Sequence, residues 1–346
     1  MSELLTRAID HLADRRDLSE GDAAEALAEI MAGEATDIEI AGFLIALRVK
    51  GETVEELAGL ARTMRAFAAF VPTAGEDLLD TAGTGGGRTT FNVSTTAALI
   101  AAGAGCMVAK HGSRSSTGLS GSADVLEALG ARIDLDAAGV ARCIEQIGFG
   151  FMFAPYHHPA TGRVVQVRKE LKVRTTFNFL GPLTNPAGAS RQLLGVSDAA
   201  TLPKMAGALA LLGTRHALLV CSEDSLDELS ISAATRVIEV QEGELEEYVV
   251  IPEDFDLPRY PPDAVPGGDP QENAQIARAI FAGEPGAARD LAVLNAGAAI
   301  YAGGRAESLA GGVLLAQEAI DSGAAAAKVE AFIDLTNELA PQELPA

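Results

Sequence analysis

The chain has 346 residues, with 26 Lys and Arg against 48 Asp and Glu, a formal charge of −22. That acidic balance argues against a nucleic-acid partner, because tracking phosphate needs a basic face. About half of the residues are apolar, enough for a sizeable core, and the length predicts about two lobes.

The chain opens Met-Ser-Glu-Leu-Leu-Thr-Arg, which has no secretory pattern. The first 70 residues read as helices with legible ends. Gly33 stops one helix. Thr36 with Glu39 is a capping box for the next, which carries Ile40, Phe43, Leu44 and Leu47 at helical spacing and stops at Gly51. Thr53 with Glu56 repeats the device ahead of Leu57, Leu60, Met64 and Phe67. Val71-Pro72 breaks the pattern, and strands then alternate with helices. Leu78-Leu79 is a short strand, residues 94–103 a helix, Met107-Val108-Ala109 a strand and residues 123–130 a helix. Arg132-Ile133 is a candidate strand. Ala217-Leu-Leu-Val220 is a buried strand, and Val237-Ile-Glu-Val240 and Tyr248-Val-Val250 are two more, separated by a turn at Glu242-Gly243. Residues 252–270 read as a surface connection, and the chain is helical again from Pro270 to Leu339. Alternation of this kind predicts a mostly parallel sheet with helices packed on it.

The apolar run 97–107 is too short and too rich in Ala and Gly to span a bilayer, so no membrane partner is expected. Cys106, Cys143 and Cys221 are widely spaced and odd in number, which fits reduced thiols in the cytoplasm. The five histidines show no metal-binding spacing.

One stretch runs against the overall charge. From Thr81 to Ala123 there are three cations, Arg88, Lys110 and Arg114, and no acid. Within it, Gly83-Thr-Gly-Gly-Gly87 leaves a strand and enters a helix. Such a loop presents free N–H groups, and the helix terminus adds positive partial charge, so phosphate is the natural guest. It is neither a Walker A loop, which ends in Gly-Lys-Ser/Thr, nor a dinucleotide fingerprint, which needs glycine where Arg88 stands.

With its neighbours the loop resembles the anthranilate phosphoribosyltransferase family, in the nucleoside phosphorylase and phosphoribosyltransferase superfamily. The stretches that carry the resemblance follow in order over nearly the whole chain. They are Gly83-Thr-Gly-Gly, Asn92-Val-Ser-Thr, Lys110-His-Gly, Ser120-Gly-Ser-Ala-Asp124, Ala154-Pro-Tyr-His-His-Pro-Ala160, Arg174-Thr-Thr-Phe-Asn, Leu180-Gly-Pro-Leu-Thr-Asn-Pro-Ala187 and Asp227-Glu-Leu-Ser230. The resemblance implies a small all-helical lobe, residues 1–70 joined by part of 160–185. It also implies a larger α/β lobe, residues 71–346, that binds the phosphoribosyl donor on a central, mostly parallel sheet. It implies a homodimer formed through the helical lobe, 5-phosphoribosyl 1-diphosphate as donor, anthranilate as acceptor, one or two Mg²⁺ per subunit and a place in tryptophan biosynthesis.

Carried over position by position, the resemblance assigns Gly83, Gly86, Gly87, Thr90, Asn92, Val93, Ser94 and Thr95 to the donor. Lys110, His111, Gly112, Ser113, Arg114, Ser115, Ser116, Thr117, Gly118 and Ser122 join them on the phosphate side. Gly83, Ser113, His158 and Arg168 fall to the acceptor, and Ser94, Asp227 and Glu228 to the metal. Residues 157–178 carry a net +4 in this acidic chain, which suits a carboxylate-bearing acceptor. No residue stands out as a catalytic acid or base. An aromatic amine is already neutral at pH 7, so Lys110 and Mg²⁺ are expected to act through transition-state electrostatics alone.

The chain departs from the family pattern at four places. Gly87-Arg88 stands for Asp-Gly, Ser113 for Asn, Gln166 for Pro, and Cys221-Ser-Glu-Asp-Ser225 for His-Gly-x-Asp-Gly. Arg88 is therefore expected beside the diphosphate. The alternatives are a paralogous phosphoribosyltransferase for another aromatic amine or acid, a pyrimidine nucleoside phosphorylase and a non-catalytic nucleic-acid-binding relative.

Overall fold

The computed structural model describes residues 3–75, 77–115 and 118–340. Four helices come first: α1 (Glu3–Ala13), α2 (Glu20–Met31), α3 (Asp37–Lys50) and α4 (Val54–Ala66). Both expected capping boxes form. The Thr36 and Thr53 hydroxyls accept from the Glu39 and Glu56 N–H groups, and each glutamate accepts from its threonine's N–H at 2.8 Å. Glu56 is fully buried and also accepts from Leu18 N and Lys50 Nζ, so the start of α4 ties three segments together.

The rest of the chain builds a seven-stranded sheet with helices between the strands. In order they are β1 (Leu79–Gly83), α5 (Val93–Gly103), β2 (Val108–Gly112), α6 (Ser122–Leu129), α7 (Ala137–Ile147), β3 (Phe149–Phe153), α8 (Ala154–His157), α9 (Gly162–Leu171), α10 (Phe177–Leu180), β4 (Arg191–Gly195) and α11 (Leu202–Leu211). There follow β5 (His216–Ser222), β6 (Thr235–Gln241), β7 (Glu244–Val250), α12 (Pro270–Phe281), α13 (Ala287–Ala302), α14 (Leu309–Asp321) and α15 (Ala324–Leu339). The sheet order is β3-β2-β1-β4-β5-β6-β7. The first five strands are parallel; β6 and β7 are an antiparallel hairpin whose turn residues, Glu242 and Gly243, both take positive φ. This is the expected architecture: a small helical N-terminal domain and a larger α/β domain with a mostly parallel sheet.

Side chains alternate between the two faces of the sheet. Leu193, Leu218, Val220 and Val237 face a core built with α5 and α13. Leu194, Ala217, Leu219, Ile238 and Val240 face a second core that includes Met205 and Leu209 of α11 and continues into Leu44, Leu47 and Leu57 of the N-terminal helices. Helix α9 packs on α3, returning residues from the middle of the chain to the helical side.

Arg132-Ile133 is not a strand. Arg132 Nε and Nη2 pair with Asp134 at 2.9 and 2.6 Å, which bends the chain toward α7. Two strands, β3 and β4, lie where no strand is expected from the sequence.

The strand order reverses between β1 and β4, with β2 and β3 leading one way and β5 the other. At such a switch point the loops leaving the carboxyl ends of neighbouring strands part and leave a crevice. The loop after β1 begins at Gly83, which pairs in register with Gly195 at the end of β4.

Candidate active site

The crevice holds a cavity of about 450 Å³. The glycine loop forms one wall. Gly85 and Gly86 have φ of +64° and +86°, so the loop doubles back as soon as it leaves β1. Thr84 N donates to Gly195 O at 2.9 Å, and Ser197 Oγ donates to Gly85 O at 2.8 Å, which fastens the loop to the end of β4. Gly85 N donates to Asp227 Oδ2 at 2.9 Å.

Asp227 and Glu228 come from the turn after β5. Glu228 is held well above the usual carboxylate range by burial and by Asp227 beside it, against the pull of Lys110 and a backbone hydrogen bond from Ser94. Burial also raises Asp227, opposed by the Gly85 N–H. Neither carboxylate makes an ion pair among the described residues. Two half-buried carboxylates side by side, with no ion pair and only the longer-range pull of Arg174 and Lys110, call for a further cation. With the Ser94 hydroxyl lining the same cavity, the donor set is hard oxygen, which suits a divalent ion that keeps waters and shares substrate phosphates. No group of three or more His, Cys, Asp or Glu among the described residues offers a closed metal cage.

Lys110 points up from β2 and is 1% exposed. Its Nζ donates to Thr81 O at 2.5 Å and lies 3.2 Å from Thr81 Oγ1 and 3.5 Å from Ser94 Oγ. Burial brings its pKa down to about 8, against the pull of Asp80 and Glu228.

The opposite end of the cavity comes from α9 and α10. Arg168 Nη2 donates to Asn178 Oδ1 at 3.1 Å, and its guanidinium sits over the Phe177 ring. Burial lowers its pKa, and no carboxylate pairs with it among the described residues. A half-buried guanidinium with no carboxylate partner among the described residues is a natural anion site. His111 Nδ1 lies 3.2 Å from Gly181 O, and its ring stands 5.0 Å from that of His158. Burial, aided in each case by a neighbouring histidine, holds His111 at about 3 and His158 at about 4, so both imidazoles are neutral.

The structure brings many of the expected residues to one cavity. Gly83, Ser94, Lys110, His111, Gly112, Ser113, Arg114, Ser115, Ser122, Arg168, Asp227 and Glu228 all line it. Gly86, Gly87, Thr90, Asn92, Val93, Thr95, Gly118 and His158 stand outside its lining. Ser116 and Thr117 fall outside the described residues. Val93 and Thr95 are buried within α5. Arg114 lines the cavity with its guanidinium turned to Asp124 and Glu127, at 2.7 and 2.5 Å. Arg88 departs from expectation. Its Nη2 pairs with Asp224 Oδ2 at 2.9 Å, and its Nη1 donates to the Pro262 carbonyl. Asp224 satisfies the cation from behind the loop.

No site role falls to Asn178, Gly181, Ser197 or Arg174 from the sequence alone. Arg174 Nη2 donates to Gly85 O at 3.2 Å, while Arg48 Nη1 donates to Arg174 O at 2.7 Å, so the pair links α3 to the glycine loop. The run Arg174-Thr-Thr-Phe-Asn178, two polar ends around an aromatic, held the signal for Arg174 and Asn178.

Two family models divide the chain in the same sense. One described as "Glycosyl transferase family, helical bundle domain" matches residues 6–68, and one described as "Glycosyl transferase family, a/b domain" matches residues 75–326. An anthranilate phosphoribosyltransferase of Rubrobacter xylanophilus is 52% identical over 97% of this chain and 99% of its own. The crystal structure of an anthranilate phosphoribosyltransferase from Thermus thermophilus superposes with a TM-score of 0.91 at 44% identity, covering 95% of this chain and 99% of that one. A Saccharomyces cerevisiae anthranilate phosphoribosyltransferase in complex with PRPP and Mg superposes with a TM-score of 0.88 at 29% identity, covering 98% and 99%. With this similarity running from the first helix to the last, the chain belongs to the anthranilate phosphoribosyltransferase family.

Proposed function

We propose that this chain transfers the phosphoribosyl group of 5-phosphoribosyl 1-diphosphate to the amine of anthranilate, releasing diphosphate, as a step of tryptophan biosynthesis. The polarity of the cavity carries this reading. One end has loop N–H groups, Lys110 and the half-buried acid pair; the other has the half-buried Arg168, without a carboxylate partner among the described residues, and the neutral His111. A phosphorylated, metal-binding donor suits the first end and a small aromatic carboxylate the second.

In this reading the backbone of Gly83, Gly86 and Gly87, with Lys110, holds the diphosphate and ribose, while Thr90, Asn92 and Thr95, outside the cavity lining, support the loop and the head of α5 from behind. Residues 112–118, with Ser122, receive the 5′-phosphate. One or two Mg²⁺ per subunit, held by Asp227, Glu228 and Ser94, supply the charge that neutralises the departing diphosphate. Arg168, steadied by Asn178, takes the acceptor carboxylate and so aims the neighbouring amine at the ribose. His111 and His158 stay uncharged, which leaves that carboxylate to Arg168. The C–N bond forms as the C–O bond to diphosphate breaks, with inversion, and the surplus amine proton passes to solvent. No covalent enzyme intermediate is formed.

The protein acts as a homodimer through its helical side. Ile38 on α3 is 85% exposed, and Val49 on α3 and Val165 on α9 also face solvent, which supports that surface as the contact. No helix among the described residues is long and apolar enough to cross a membrane. A cytoplasmic location fits the three buried free cysteines.

The test is an acceptor scan with the same donor and Mg²⁺. Consumption of anthranilate, with its meta and para isomers left untouched, is the expected result. Equal use of the isomers, or phosphate-dependent cleavage of a pyrimidine nucleoside, contradicts the reading.

A further inference from the structure

The stretch between β7 and α12 does more than connect them. It runs behind the glycine loop and meets that loop and the head of α5 at three places. Arg88 Nη1 donates to the Pro262 carbonyl. Gly267 approaches so closely that a Cβ there would stand 2.5 Å from the Thr90 carbonyl oxygen. Asn273, in the first turn of α12 and 2% exposed, donates through Nδ2 to Asn92 Oδ1 at 2.9 Å.

Both pinning side chains reach further. Asn273 Oδ1 accepts from Gly268 N at 2.9 Å, so its amide is committed at both ends. Asn92 Oδ1 also accepts from Ser120 Oγ at 2.9 Å, which draws in the turn ahead of α6. Arg88 pairs with Asp224, three residues before Asp227, and its own N–H donates to Ser225 O at 2.8 Å. Asp224 is fixed in turn by the Ser222 and Ser230 hydroxyls at 2.5 and 3.0 Å. Arg88 thus joins the connecting segment, the glycine loop and the turn that carries the acid pair.

We propose that residues 262–273 are a strap that fixes the glycine loop for its phosphorylated donor, with Arg88 and Asn273 as positioning residues. The proposal rests on the transfer reaction above for its kinetic consequence, though not for the geometry. Neither residue lines the cavity, so each acts through the loop. A loop with two positive-φ glycines has many backbone states open to it, and its N–H groups serve a polyanion only when held in place. A misplacement of about 1 Å at a reacting centre costs on the order of a hundredfold in rate.

Arg88→Ala, Arg88→Lys and Asn273→Ala in the full chain test the strap through amide hydrogen exchange and steady-state kinetics. In both alanine variants, exchange at residues 85–92 is expected to quicken about tenfold. The donor KM rises about tenfold, the acceptor KM at saturating donor stays within about twofold and Tm moves by only a few degrees. Arg88→Lys recovers part of the donor KM, because an ammonium still answers Asp224. Unchanged exchange in both alanine variants overturns the strap. So does a parallel rise in both KM values with a large fall in Tm, the mark of a merely structural role. If the wild type transfers no phosphoribosyl group, the functional reading fails, and the exchange measurement still decides the strap.

Discussion

Gly85 donates its N–H to Asp227 Oδ2 at 2.9 Å, joining the tip of the glycine loop to the carboxylate pair across the switch point. The loop that would hold phosphate and the acids that would hold metal are thereby one construction. Glycines at the ends of β1 and β4 make the approach possible.

A methyl group at those glycines is therefore costly in two different ways. A Cβ on Gly83 would stand 2.7 Å from Asp227 Oδ2, and one on Gly195 would stand 1.6 Å from the Asp227 carbonyl oxygen. Gly83→Ala should fold and lose on the order of a hundredfold in kcat/KM, because a side-chain carboxylate can swing aside. Gly195→Ala meets backbone and should lose several kcal/mol of stability, read as a depressed Tm or insoluble protein. A Gly195→Ala variant with wild-type Tm contradicts the close approach.

Arg168 should govern the acceptor and leave the donor alone. Arg168→Ala is expected to raise the acceptor KM by about two orders of magnitude, the worth of a charge-assisted pair in a buried site. Arg168→Lys should recover little, since an ammonium cannot reproduce the planar fork over Phe177. Steady-state kinetics with each substrate varied in turn checks the split.

The site was partly legible in the sequence. Both threonine caps and the glycine loop could be read because each is a short local pattern with its own chemistry, whereas the Asp227-Glu228 pair, one among 48 acids, was marked only by the resemblance. β3 could not. Phe149-Gly-Phe-Met-Phe153 is almost wholly apolar and is buried by neighbours on both faces, so it shows no alternation. Arg132-Ile133 looks like a strand only until Arg132 is seen to fold back on Asp134. Gly87-Arg88 stands where the family pattern has Asp-Gly, and the partner of Arg88 lies 136 residues away. No local reading could supply Asp224. Asn273 likewise meets Asn92 across 181 residues, and nothing in its own helix marks it out.

The sheet's far side makes a stability prediction. Glu239 on β6 accepts from Tyr248 and Tyr301 hydroxyls at 2.8 Å each and lies 2.7 Å from His216 Nε2. Burial would push its carboxyl up, but the hydrogen bonds from His216, Tyr248 and Tyr301 outweigh burial and hold it below 4.5. A depressed carboxylate contributes stability that is present above its unfolded value and lost as pH falls through the folded one. Glu239→Gln should therefore cost about 1–3 kcal/mol at neutral pH and less as the pH drops below about 4.5. Urea melts across that window check it; a gap that widens toward acid contradicts the assignment.

The three cysteines should be silent in the native protein. All are buried and unpaired, and burial pushes the Cys106 thiol up to about 12 and Cys143 to about 11. A thiol reagent at pH 8 should titrate almost none before denaturation and all three after it. Rapid native labelling of Cys106 contradicts its placement.

The most direct test of the account is the loss of anthranilate fluorescence when wild type and an Asp227→Ala, Glu228→Ala double variant are mixed with donor and Mg²⁺. The signal should fall with wild type only when donor and metal are both present, and should be slower by about three orders of magnitude or more in a still-folded double variant. A double variant as fast as wild type, or a wild type indifferent to Mg²⁺, would show that the acid pair at the switch point does not serve the reaction.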